Sequence, residues 1–180
     1  MFPHGVAACR GVRRPAGNAD RRAKGVPGRM SQFFGRHTNR LDAKGRVSIP
    51  ASFRAALRRA NEGDGGGLVL RPSHQYDCIE GWPETTFTAL AQRLRPLGLF
   101  NAAQDNFALA IYADAYTMEA DKEGRIVLPE GLVAHAKLSE TVVFLGAGQT
   151  FQIWEPAGAE RRLAEAREAA KALSLAEGIA

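Results

Sequence analysis

Residues Asp42–Pro50 read DAKGRVSIP and residues Asp121–Pro129 read DKEGRIVLP, so one punctuated nine-residue pattern returns 79 positions later. Asp42, Gly45, Arg46 and Pro50 recur as Asp121, Gly124, Arg125 and Pro129, while Val47 and Ile49 recur as Ile126 and Leu128. Beyond the window, apolar Leu41 and Phe53 correspond to Ala120 and Leu132. Six typed matches, each followed by a helix-like segment, identify an internal duplication rather than two unrelated turns. Each half holds only a few short strands and brief helices, too little to bury a stable core alone. The halves must therefore interleave, and the expected α+β fold is one barrel-like β core built from both, with hairpins packed together and helices outside.

The two copies lay out the same elements. In the first, Phe33–Leu41 reads as a strand, Asp42–Gly45 as a turn and Arg46–Ile49 as a return strand. Pro50 opens a helix to about Ala60, at a first helical position where its missing N–H has no partner. Strands at Leu68–Leu70 and Tyr76–Trp82 follow the glycine-rich Gly63–Gly67, and Pro83 opens a helix with Phe87, Leu90, Ala91 and Leu94 on one face. The second copy gives strands at Ala115–Ala120 and Arg125–Leu128, a helix from Pro129, strands at Val142–Leu145 and Phe151–Trp154, and a helix from Pro156 to about Leu173. Asn101–Ala113 reads as a linking helix. The domains expected are 33–82 and 114–156, joined by linking helices over 83–113 and followed by a C-terminal helix over 157–180.

Residues 1–29 are rich in Gly, Pro, Ala and Arg without hydrophobic periodicity, which predicts a disordered basic tail. Met30 stands where patterned sequence begins, so an upstream start codon would account for the tail. These residues hold seven Lys or Arg against Asp20 alone, which leaves −1 of the formal +5 for the rest of the chain. Charge is uneven there too. Residues 30–60 carry Arg36, Arg40, Lys44, Arg46, Arg54, Arg58 and Arg59 against Asp42, whereas residues 115–140 are acidic on balance. The longest apolar run, Phe107–Ala113, is far short of the roughly 18 residues that span a bilayer. Cys9 and Cys78 form no metal or redox pattern, as expected of a reducing cytoplasm.

The repeated turn displays cations. Gly45 and Gly124 permit positive φ, and Asp42 and Asp121 can bond nearby backbone N–H groups or hold the arginine that follows. A guanidinium fixed in this way can offer its fork to a phosphate or to guanine O6 and N7. The bland alternative is an Asp–Arg bridge that only staples the turn. The candidate DNA-contacting residues are Arg40, Lys44, Arg46 and Arg54 around the first turn, and Lys122 and Arg125 at the second, with Arg46 the stronger electrostatic candidate.

The segments NRLDAKGRVSIPASFR at Asn39–Arg54, MEADKEGRIVLPEGLVAHAKL at Met118–Leu138 and VVFLGAGQTFQIWEP at Val142–Pro156 resemble the MraZ family, whose members carry two SpoVT-AbrB-type domains. The family's Asp-x-x-x-Arg motif falls on Asp42 and Arg46, then on Asp121 and Arg125. The resemblance implies a nucleoid-associated transcriptional regulator of the division and cell-wall gene cluster, binding double-stranded DNA with direct repeats upstream of its own gene. It also implies ring-shaped homo-oligomers and a swapped-hairpin β-barrel. Two features depart from the family pattern: the first 29 residues, and a linking helix, NAAQDNFALAIY, without a cation where the family is arginine-rich.

Rival classes find less support. His4, His37, His74 and His135 share no metal-ligand spacing, and Gly63–Gly67 lacks the GK[ST] ending of a phosphate loop, so no enzyme, metal, cofactor or small-molecule substrate is implied. The charged helix at Ala159–Leu173 has Leu163, Ala166, Ala170 and Leu173 on its apolar face and reads as a packing element. A protein-interaction or antitoxin module without sequence-specific DNA binding fits the near-neutral charge after Met30. The cations concentrated in the first repeat favour DNA instead.

Overall fold

A computed structural model describes residues 32–61, 67–94 and 102–177, without the side chains of 91–94, 102–104 and 174–177. The expected tail at 1–29, most of Gly63–Gly67 and the side chains of Ala91 and Leu94 lie outside the described residues. The first half comprises β1 (Arg36–Arg40), β2 (Arg46–Ser48), α1 (Ala51–Ala60), β3 (Leu68–Pro72), β4 (Ile79–Pro83) and α2 (Glu84–Leu94). Helix α3 (Ala102–Tyr112) leads to β5 (Tyr116–Met118), β6 (Arg125–Val127), α4 (Glu130–His135), β7 (Thr141–Gly146), β8 (Phe151–Trp154) and α5 (Pro156–Glu177). Pro50 and Pro129 stand one residue before their helices rather than at the first helical position, with extended ψ of 140° in both. The Pro50 carbonyl then accepts from Phe53 and Arg54 N–H at 2.9 and 3.0 Å, so proline fixes the entry without losing a needed donor. Pro83 likewise ends β4 and leaves Glu84 to open α2.

Among the described strands, β3–β4 and β7–β8 pair within one half, and the other four pairings join the two halves. The six-stranded antiparallel sheet runs β1-β7-β8-β4-β3-β5, and β2 pairs with β6 in a separate two-stranded ribbon. Exchanging each strand for its counterpart in the other half returns the same order reversed. Register obeys the same exchange: Asn39↔Val142 answers Met118↔Leu68, Ile79↔Ile153 answers Gly81↔Phe151, and Arg46↔Val127 answers Ser48↔Arg125. The molecule has an internal two-fold, and the interleaving expected of the halves is present.

The sheet does not close into the expected barrel. β1 reaches β2 only through an isolated Leu41–Val47 bridge and a bond from Asn39 Nδ2 to the Ser48 carbonyl at 2.5 Å, because the chain passes straight from β1 into the turn. The architecture is mixed α+β, with ribbon and sheet facing one another. Between them Phe33, Phe53 and Phe151 pack with ring centroids 5.1 to 5.3 Å apart, joined by Val47, Ile126, Phe144 and Leu132. Helix α1 is not peripheral as expected, since Phe53, Ala56 and Leu57 lie in this core. The sheet's other face is covered too. Val143, Leu145 and Trp154 pack under α5, and Val69 packs with Phe87 and Ile111. Burial on both faces explains the unbroken apolar run VVFL, Val142–Leu145.

Along α5 the expected stripe is only partly used. Leu163 and Ala166 are half-buried, Ala170 is exposed and Leu173 is 58% exposed, so the distal half of the helix leaves the body. Among the described residues no helix is long and apolar enough to cross a membrane.

Candidate nucleic-acid interface

Both turns are built by one carboxylate. Asp42 N–H donates to the Arg46 carbonyl at 3.0 Å, and Gly45 N–H, with Gly45 at φ +73°, donates to the Asp42 carbonyl at 2.9 Å. Asp42 Oδ1 accepts the N–H groups of Lys44 and Arg46, each at 2.9 Å, and Oδ2 accepts Arg46 Nε at 2.7 Å. The second turn repeats this: Asp121 Oδ1 accepts Glu123 and Arg125 N–H at 3.0 and 2.8 Å, and Oδ2 accepts Arg125 Nε at 2.8 Å. The backbone N–H of Arg46, then its side chain, hold the Asp42 carboxyl below its ordinary value. The backbone N–H of Arg125 does most to lower Asp121. These half-exposed ion pairs add little stability. What they fix is direction, because each arginine is gripped at Nε and presents its Nη edge outward.

The two guanidiniums differ. Among the described residues, Arg46 makes no further bond, so both Nη groups are free. Arg125 Nη2 is taken by Glu123 Oε2 at 3.1 Å, and the Asp121 contact raises the Arg125 pKa. Glu123 stands where the first turn has Lys44. Ribbon alternation puts both arginines on one surface: Val47 and Ile126 turn into the core, so Arg46, Ser48, Arg125 and Val127 point away from it.

The other sequence-nominated cations scatter. Lys44 and Lys122 are exposed at the tips of their own turns. Arg54 does not join Arg46: α1 carries it to the second turn, where its guanidinium lies against Gly124, at φ +78°, and Nη1 bonds the Ile49 carbonyl at 2.6 Å. Arg40 leaves β1 on the face opposite Asn39, the face from which Arg36 reaches Glu160 of α5. Each turn lines a cleft together with the other half's helix, the first with Val133 and Lys137 of the α4 region, the second with Arg54 and Arg58 of α1. Sequence adjacency therefore overstated the positive field around Arg46. It also missed Ser48 and Val127, which aligning the two repeats on their outward positions would have exposed.

The family model described as "MraZ protein, putative antitoxin-like" matches residues 33–109 and 111–175. A protein of Gluconacetobacter diazotrophicus named "Transcriptional regulator MraZ" is 58% identical over 146 residues, 81% of this chain and 92% of that relative. Proteins of the same name from Gluconobacter oxydans and Pelagibacter ubique are 50% identical over 145 residues and 39% identical over 138 residues, covering 81% and 77% of this chain and 88% and 87% of their own.

Proposed function

The chain belongs to the MraZ family, and on that premise we propose that it is a transcriptional regulator, not an enzyme, that binds DNA through the β2–β6 ribbon. The observation that carries this reading is Arg46 gripped at Nε by Asp42, with both Nη groups unbonded among the described residues, on the outward face of a two-stranded antiparallel ribbon. A ribbon of that width enters the major groove, and a guanidinium aimed in advance bonds guanine O6 and N7 in a fork at small entropic cost. Arg125, with one Nη group held by Glu123, contributes less.

One ribbon makes few contacts, so the reading includes a ring-shaped homo-oligomer. Several ribbons on one ring gain effective concentration on DNA with spaced direct repeats, here those upstream of the chain's own gene in the division and cell-wall cluster. The same reading takes 33–82 and 114–156 as two SpoVT-AbrB-type domains with exchanged hairpins. It takes 1–29 as a dispensable tail and places the protein in the cytoplasm, on the nucleoid.

The test titrates the wild type, Arg46→Ala and Arg125→Ala at fixed salt against a duplex from that upstream region, with circular dichroism as the folding control. Arg46→Ala should lose about 1 to 3 kcal/mol per ribbon and Arg125→Ala distinctly less. Equal losses would remove the asymmetry between the turns. No loss in either variant would remove the ribbon as the interface. A salt-independent affinity would favour an interaction module, because phosphate binding releases counterions and gives a steep slope.

A further inference from the structure

The outward face of the ribbon carries Arg46 and Ser48 from β2, and Arg125 and Val127 from β6. Three are polar and the fourth is a valine that is 54% exposed. Its counterpart in the other half is Ser48, so the two-fold is broken at this point by an apolar group facing water. The body of the protein gives Val127 no packing reason, because its neighbours Ile126 and Leu128 supply the buried side chains.

Register fixes what Val127 stands beside. Leu128 N–H bonds the Gly45 carbonyl at 2.8 Å and Ile49 N–H bonds the Gly124 carbonyl at 2.9 Å. Antiparallel alternation between these bonds makes Val47 and Ile126 a hydrogen-bonded pair and places Arg46/Val127 and Ser48/Arg125 at the close, non-hydrogen-bonded positions. Facing Cβ atoms there are about 4.5 to 5.5 Å apart, more than one base-pair step of about 3.4 Å. That spacing lets the Val127 methyls reach the edge of the base pair next to one that the Arg46 Nη groups engage. The apolar group that the major groove offers at a base edge is the 5-methyl of thymine.

We propose that Val127 is a specificity-determining residue that packs on the 5-methyl group of a thymine adjoining the base pair read by Arg46. This rests on the reading that the ribbon enters the major groove. It also gives the site a direction. A ribbon with an intact two-fold would bind a DNA element equally in either orientation, whereas guanine and thymine contacts gathered at the Arg46–Val127 end distinguish the two.

The experiment removes only the methyl. The full chain is titrated against the upstream duplex carrying thymine, and against duplexes in which each thymine in turn is deoxyuridine, with Val127→Ser and Arg46→Ala in parallel. Wild-type binding should weaken about two- to fourfold per ribbon at one thymine position, the size of one partly buried methyl. Val127→Ser should bind the thymine and uracil duplexes alike. Combining it with Ser48→Val should move the sensitivity to a thymine beside the pair read by Arg125. Wild-type indifference to every substitution, with Arg46→Ala still defective, overturns the thymine contact and leaves the ribbon reading standing. Undiminished binding by Arg46→Ala overturns both. A changed assembly size for Val127→Ser in light scattering, without any uracil effect, assigns the valine to contact between copies and overturns the proposal.

Discussion

Alanine at Gly45 and at Gly124 adds the same methyl to the same backbone shape, at φ +73° and +78°, yet the surroundings make the costs unequal. Both substitutions force a side chain into the left-handed region, at about 1 to 2 kcal/mol. At Gly45 the new Cβ meets only the Leu128 carbonyl oxygen, at 3.2 Å, which yields with a small shift. At Gly124 it lands 2.6 Å from Arg54 Cδ and Nη1. That end of Arg54 is flexible and swings away, so the added cost is the bond from Nη1 to the Ile49 carbonyl, half-buried and worth about 1 kcal/mol. Gly124→Ala should therefore cost about 2 to 3 kcal/mol against about 1 to 2 for Gly45→Ala. In an Arg54→Ala background the excess should vanish, a coupling of about 1 kcal/mol. Urea unfolding of wild type, Gly45→Ala, Gly124→Ala, Arg54→Ala and the Arg54→Ala/Gly124→Ala double variant, at one protomer concentration, measures it. Additivity to within about 0.3 kcal/mol would refute the placement of Arg54 across the second turn.

Burial, and then the Glu80 carboxylate, push the Cys78 thiol from 9.0 up to about 12. In a Cys9→Ser variant it should resist alkylation at pH 8 until urea is added, and because its folded value is raised, stability should fall as pH climbs above 9; prompt labelling of Cys78 in the native variant would contradict this. Leu163→Asp puts a charge against the cluster of Val143, Leu145 and Trp154 under α5 and should lower stability by roughly 1 to 3 kcal/mol. An unchanged melting curve and an unchanged assembly size would show that the helix does not pack there.

What was legible in the sequence was local. The two turns, the helix that follows each repeat and the need for the halves to share a core follow from residue types at fixed spacing. Strand partners do not. Phe33–Leu41 looks like the first arm of a hairpin, but Thr38 faces Val143 over a hundred residues away, and no periodic pattern names a partner at that distance. Arg54 was misplaced for the same reason: it is eight residues from Arg46 in the chain, but α1 delivers it to the other turn. The pair of Arg71 and Glu80 gave no signal either. These residues face each other across β3 and β4, joined at 2.7 Å, with Arg71 only 3% exposed, an arrangement visible only once the register is known.

The reversible strand order also bears on how such a chain can change over generations. Two identical half-length chains could build the same sheet and ribbon about a true two-fold, but their folding would depend on concentration, and every substitution would appear twice in the product. Joined in one polypeptide, the halves meet at a concentration set by the connection between them, and each substitution is made once. A glutamate can then face one arginine while a lysine stands by the other, and a valine can occupy one strand where a serine occupies its twin. Fusion turns a symmetric body into one whose two ends can be tuned separately, while the shared core holds both to the same frame.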